Sequence, residues 1–242
     1  MIQVNQKTKQ GFTLIELLLA MSFVAVLLLA IAMLVIRAGA IYSKGMALKD
    51  INQSSRLIAG DLQRTLVSEN VGAISSANYV TVPTVGTSVS GRFCAGTYSY
   101  VWNTINATVG DGYAMAVSPG SSELVSLVRV PDPGGTYCAR DTSGNLVVSS
   151  ALRTGDFAKS VKLIAKGDHT LSLTYFGVKT NSTLADLTTG QRIITVSYGI
   201  GSGSPTTMNA DKTACLPAND PNGDPVYCNV QQFNSIFRSG GM

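Results

Sequence analysis

The sequence predicts an α+β protein in which a long N-terminal helix packs on an antiparallel β-sheet head. Three observations carry that prediction. From Phe12 to Ile36 the chain is apolar apart from Thr13, Glu16 and Ser22, long enough to cross a bilayer core as a helix. Leu48, Ile51, Ser55, Ile58, Leu62 and Leu66 then recur at three- and four-residue steps, the spacing of one amphipathic helix face. From about Asn70 the composition turns to Ser, Thr, Gly and Val, in short alternating segments divided by Gly, Pro, Asn and Asp.

The elements follow in chain order. Residues 1–11 form a basic, soluble leader that carries Lys7 and Lys9. Residues 12–36 form the apolar span, too long for a signal-peptide core and closed by no small-residue cleavage site. The lysines ahead of the span place the N-terminus in the cytoplasm and the remainder outside, a rule weakened slightly by Arg37, Lys44 and Lys49 beyond it. Residues 37–68 continue the helix as an amphipathic segment, with Lys49, Asp50, Gln53, Arg56, Asp61 and Arg64 assigned to its solvated face. A helix from Phe12 to about Ser68 would be on the order of 85 Å long. A free coiled coil is the alternative, disfavoured by a short seam that carries Ser55.

Residues 69–242 are read as the β-rich head. Its candidate strands begin at Asn78 (NYVTV), Arg92 (RFCAGTYSYVW), Ser122 (SELVSLVRV), Asn145 (NLVVS), His169 (HTLSLTYFG), Gln191 (QRIITVSYG) and Pro225 (PVYCNVQQF). The segment DFAKSVKLIAK from Asp156 fits a short helix or a strand equally. Tyr98, Tyr100 and Trp102 share one strand face, which suits core packing better than a ligand platform.

Charge and cysteine usage limit the function classes. The formal net charge is +4 and only 13% of residues are charged, without the concentrated basic stripe of a nucleic-acid binder. Cys94, Cys138, Cys215 and Cys228 all lie beyond the apolar span, which suggests disulfides in an oxidising compartment. Three connectivities exist. The short loop rich in Asn, Asp, Pro and Gly favours Cys215 with Cys228, leaving Cys94 for Cys138. A zinc site is disfavoured, with no C-x-x-C pair and His169 as the single histidine.

Glu16 is the anomaly, because an acid inside a membrane span is expensive and ordinarily has a partner. If the chain is cut between Gly11 and Phe12, Phe12 gains a free amine and Glu16 stands four residues later on the same helix face. The segment Lys9-Gln10-Gly11-Phe12-Thr13-Leu14-Ile15-Glu16 resembles the prepilin-type processing site of type IV pilins and type II secretion pseudopilins. The resemblance covers about the first 35 residues. It implies a lollipop-shaped fold, Gly11 as the cleavage residue, Phe12 as the N-methylated terminus and Glu16 as the assembly residue. It also implies a prepilin peptidase, other pilin subunits and an inner-membrane assembly platform as partners. By the same resemblance, a single-pass precursor in the cytoplasmic membrane would end in an extracellular or periplasmic filament. The chain departs from the family at Met33, where many members place a helix-breaking proline; none occurs before Pro83. Gly39 and Gly45 are weaker candidates for a bend.

Within that family the large head favours a minor pilin, serving adhesion, motility or DNA uptake. A secretion pseudopilin and a pilin-anchored adhesin or DNA receptor are the alternatives, and the head's surface or DNA ligand is unknown. No enzyme is expected: no G-x-S-x-G elbow surrounds a serine, and GIGSGS from Gly199 lacks the G-K-[ST] ending of a phosphate loop. Asp220, Asn222 and Asp224 alternate like the first ligands of a calcium loop. Pro225 and Gln231 stand where such a loop needs glycine and glutamate, which favours a turn inside a disulfide loop and no resident cofactor.

Overall fold

The computed structural model describes residues 13–69, 71, 74–82, 89–146, 151–164, 170–181 and 191–239. Helix α1 (Leu14–Ser68) runs unbroken through Met33, Gly39 and Gly45. Its 55 residues extend about 80 Å. The chain divides into two compact units at Ser43 and Lys44, so α1 contributes to both.

In the first unit every described side chain from Thr13 to Gly39 is exposed. Among the described residues α1 is the one helix long and apolar enough to cross a membrane. An apolar surface all round a helix is stable only in lipid or among other helices.

In the second unit α1 becomes one-sided. Ala47, Ile51, Ser54, Ser55, Ile58, Asp61, Leu62, Thr65 and Leu66 are buried, whereas Gln53, Arg56, Gly60 and Arg64 face solvent. The other elements among the described residues are β1 (Tyr79–Val82), β2 (Ser90–Ala95), β3 (Tyr98–Asn103), β4 (Leu127–Pro131), α2 (Thr154–Lys159), β5 (Val161–Lys162), β6 (Leu171–Asn181), β7 (Ile193–Ser202), a 3-10 turn (Pro205–Thr207) and β8 (Asn229–Arg238). Among the described residues the strands form two antiparallel sheets where the sequence suggested one: β1-β2-β3-β4-β5 and β6-β7-β8.

The main core lies among α1 and both sheets. Ile51, Ile58, Leu62 and Leu66 meet Phe93, Tyr100 and Trp102 of the first sheet and Phe176, Val196 and Tyr198 of the second. A row of rings crosses the two sheets: Tyr79 to Trp102 at 5.7 Å, Trp102 to Phe176 at 4.7 Å, Phe176 to Tyr198 at 6.4 Å and Tyr198 to Phe233 at 5.5 Å. Such pairs add to the burial of the rings themselves. Tyr100 and Trp102 are therefore core, as their strand spacing suggested, while Tyr98 lies under Arg129 at 4.6 Å. A smaller cluster of Val101, Met115, Val125, Val130, Tyr137 and Leu152 covers the opposite face of the first sheet. Asn103 secures that cover, donating to Met115 O and Val125 O and accepting from Met115 N.

The structure revises several sequence boundaries. The run RFCAGTYSYVW is a hairpin, turned at Gly96, whose φ of 57° favours glycine. Glu69, just beyond α1, holds that turn by accepting from Thr97 N at 3.1 Å and Thr97 Oγ1 at 2.9 Å. In SELVSLVRV only the last part becomes β4, and in PVYCNVQQF the strand begins at Asn229. In NLVVS, Leu146 makes an isolated bridge to Arg140, and residues 147–150 lie outside the described residues. The ambiguous DFAKSVKLIAK contains the end of α2 and then β5. Gly91 lies opposite Trp102, where a Cβ would collide with the indole.

Candidate functional site

The segment singled out by sequence opens on α1. Thr13 precedes the first helical residue, and its backbone N–H donates to Glu16 Oε2 at 3.1 Å. Its hydroxyl donates to the same oxygen at 2.9 Å, and Glu16 N–H donates back to Thr13 Oγ1 at 3.4 Å. This is a capping box, in which the cap and the acid three residues on satisfy each other's backbone donors. The sequence reading sought a partner for Glu16 in the Phe12 amine and passed over the one supplied by Thr-x-x-Glu, although that motif was legible. The carboxylate is fixed at the helix start, where it also opposes the positive end of the helix dipole. Gly11 and Phe12 lie outside the described residues.

Farther along α1, Asp61 is buried, which corrects its assignment to the solvated face. Its carboxylate meets the Arg129 guanidinium at 3.3 Å and accepts from Tyr100 Oη at 2.9 Å. Arg129 also reaches Thr65 Oγ1 at 3.4 Å. A buried acid persists only when paired in this way. The arrangement ties α1 to β3 and β4. Ser55, the flaw in the apolar seam, is explained similarly: Tyr198 Oη donates to Ser55 O and lies 3.0 Å from Ser55 Oγ. Leu48 is only partly buried, and Ala47 fills that part of the interface.

Two disulfides close the head, Cys94–Cys138 and Cys215–Cys228, and no free cysteine is present among the described residues. Asp132 shapes the loop that carries Cys138, accepting from Thr136 N, Tyr137 N, Cys138 N and Ser99 Oγ. Burial within the head pushes the Tyr79 hydroxyl up to about 12 and raises Tyr100 and Tyr137. It pulls the Arg92 guanidinium down to about 10.

In the second disulfide loop, Asp220 Oδ1 accepts from Asn222 N at 2.9 Å. Asp224 Oδ1 accepts from Val226 N at 3.1 Å and Tyr227 N at 3.0 Å. Both acids therefore act as turn caps, and the Asn222 side chain is exposed. Among the described residues no group of three or more His, Cys, Asp or Glu side chains is arranged to hold a metal. His169 lies outside the described residues. A cleft of about 280 Å³ beside β4 is walled by Val117, Val125, Leu127, Ile164 and Leu171, with Glu123 and Lys162 among its polar groups. Gly199 to Ser202 complete β7, so GIGSGS begins as strand. No family model, no curated protein and no solved structure matches this chain.

Proposed function

We propose that this chain is a structural subunit, of the minor-pilin kind, in a type IV pilus-like filament. The observation that carries the reading is the segment from Lys9 to Glu16, which runs into an apolar helix whose side chains from Leu14 to Ile36 stand exposed. Those side chains need lipid before assembly and neighbouring helices afterwards. The transfer is nearly neutral, because lipid is as apolar as a helix bundle. Direction must then come from specific polar pairing and from an external motor.

In this reading a prepilin peptidase cuts after Gly11 and methylates Phe12, and an inner-membrane platform adds the subunit to the filament. Glu16 pairs with the terminal amine of a neighbouring subunit. The capping box supports that role, since Thr13 already holds the carboxylate at the end of the helix. The head, closed by its disulfides, faces outward.

Intact-mass measurement of the chain in cells carrying a prepilin peptidase tests the processing step. The wild-type chain should lose residues 1–11 and gain a methyl group, and Gly11→Val should keep its leader. An unprocessed wild-type chain would refute the reading. Glu16→Ala should insert and be cleaved, yet enter sheared filaments poorly. Normal incorporation would remove Glu16 from assembly.

A further inference from the structure

The cleft of about 280 Å³ beside β4 draws its walls from both apolar clusters of the head. Leu127 and Leu171 come from the main core, Val125 from the smaller cluster, and Phe157 packs against the latter. The cleft lies where the first sheet runs out. β5 pairs with β4 at two positions, Lys162 opposite Val128 and Val161 opposite Arg129, and Leu163 N then donates to Leu127 O at 3.0 Å. β5 thus ends level with Leu127, and the chain just before β4 lines the cleft. One cation stands on this apolar surface. Lys162 is exposed, and its Nζ lies over the Phe157 ring at 4.8 Å, with both side chains in the lining. A ring face engages one side of an ammonium and leaves N–H donors over. Among the described residues no carboxylate pairs with Lys162. Glu123, the acid in the described lining, already has a partner and is not a free charge there.

We propose that this cleft binds a small organic monocarboxylate, with its apolar body between the walls and its carboxylate on the Lys162 ammonium. Ligand sites are concave and mostly apolar, of about 300–1,000 Å³, with a few polar groups that fix orientation. The cleft stands at the lower end of that range, which suits a small molecule. Charge complementarity selects the class. An amine would meet Lys162 as a like charge. An inorganic anion would use the ammonium and leave the walls wet, whereas a neutral hydrocarbon would fill the walls and leave the ammonium unpaired. A carboxylate on an apolar body uses both. All of these residues lie in the second unit, and the proposal does not rest on the filament reading.

The test uses the full-length chain in lipid nanodiscs, with empty nanodiscs as the blank, and calorimetric titration near neutral pH. The probe is 4-phenylbutyrate. Two controls divide its features: 4-phenylbutanol keeps the body without the charge, and acetate keeps the charge without the body. The probe should bind, and both controls should bind more weakly. Lys162→Met removes the charge at an exposed position and keeps an apolar stem. It should weaken the probe about fivefold, the worth of one exposed ion pair, and leave 4-phenylbutanol unchanged. Lys162→Arg should retain binding of the probe. Added salt should weaken binding to the wild type and spare the Lys162→Met variant, because it screens the pair and not the walls. Trp102 fluorescence during unfolding checks that both variants keep the stability of the parent. No heat from the probe beyond the blank, equal binding of 4-phenylbutanol, or equal binding of the probe by Lys162→Met would overturn the proposal.

Discussion

The two halves of α1 share one secondary structure under opposite conditions. From Leu14 to Ile36 every side chain is exposed, whereas Ile51, Ile58, Leu62 and Leu66 are completely buried. In the first half the helix is specified by composition: an apolar run that must satisfy its own backbone wherever water is absent. In the second half it is specified by a face, on which Asp61, Thr65 and Ser55 are polar groups made tolerable by partners in the sheets. Side chains in the first half therefore depend on what surrounds the protein, and those in the second on what the protein supplies. The same substitution should have different consequences in each.

The largest contrast comes from breaking the ion pair in the second half. Asp61→Ala leaves Arg129 largely buried without its carboxylate, which should lower head stability by about 3–5 kcal/mol. Leu27→Ala in the first half, where the side chain is 47% exposed, should leave the head's unfolding transition unmoved. Denaturant unfolding of the detergent-solubilised chain, followed by tryptophan fluorescence from Trp102, compares them directly. Equal effects would erase the distinction.

Alkaline pH gives a smaller effect confined to the head. Tyr79 holds its proton up to about pH 12 when folded, but an unfolded tyrosine releases it near pH 10. The native state thus binds more protons in that interval, and stability, unaffected below about pH 10, falls as pH rises toward 12. Tyr100 and Tyr137 act in the same direction. Arg92, pulled down by burial, acts in the opposite one but is outnumbered. Phenolate absorbance should show these tyrosines ionising together with unfolding, and early ionisation of all of them would contradict their burial.

The smallest effect belongs to Ser55→Ala. Tyr198 Oη keeps its bond to Ser55 O and loses only the neighbouring hydroxyl, so the cost should be about 1 kcal/mol. A loss as large as that of Asp61→Ala would mean that Ser55 supports much more of the interface than this hydrogen bond.

Much of this was legible before any coordinates. Helix α1 was visible in the unbroken apolar run and the periodic face beyond it. β1, β6 and β7 were visible in alternation between turn residues. The hairpin of β2 and β3 was read as one segment because Gly96 and Thr97 interrupt a nearly continuous strand-forming run. Only the φ of Gly96 and the grip of Glu69 reveal the turn. At the candidate site, Glu16 was identified but its bond to Thr13 was missed. Asp61 was placed on the wrong face because a carboxylate between Arg56 and Arg64 reads as solvated until Arg129 is brought beside it.

By itself, the sequence determined what depends on neighbours within a few residues: the helix and its apolar length, the Thr13–Glu16 capping motif and the strands with clear alternation. The tertiary structure decided what depends on distant partners: the burial of Asp61 with Arg129, the hydrogen bond of Ser55 to Tyr198, and the split of the described strands into two sheets. The physical reason is that propensity and periodicity act along the chain, while the cost of burying a polar group is set by whatever folding places against it.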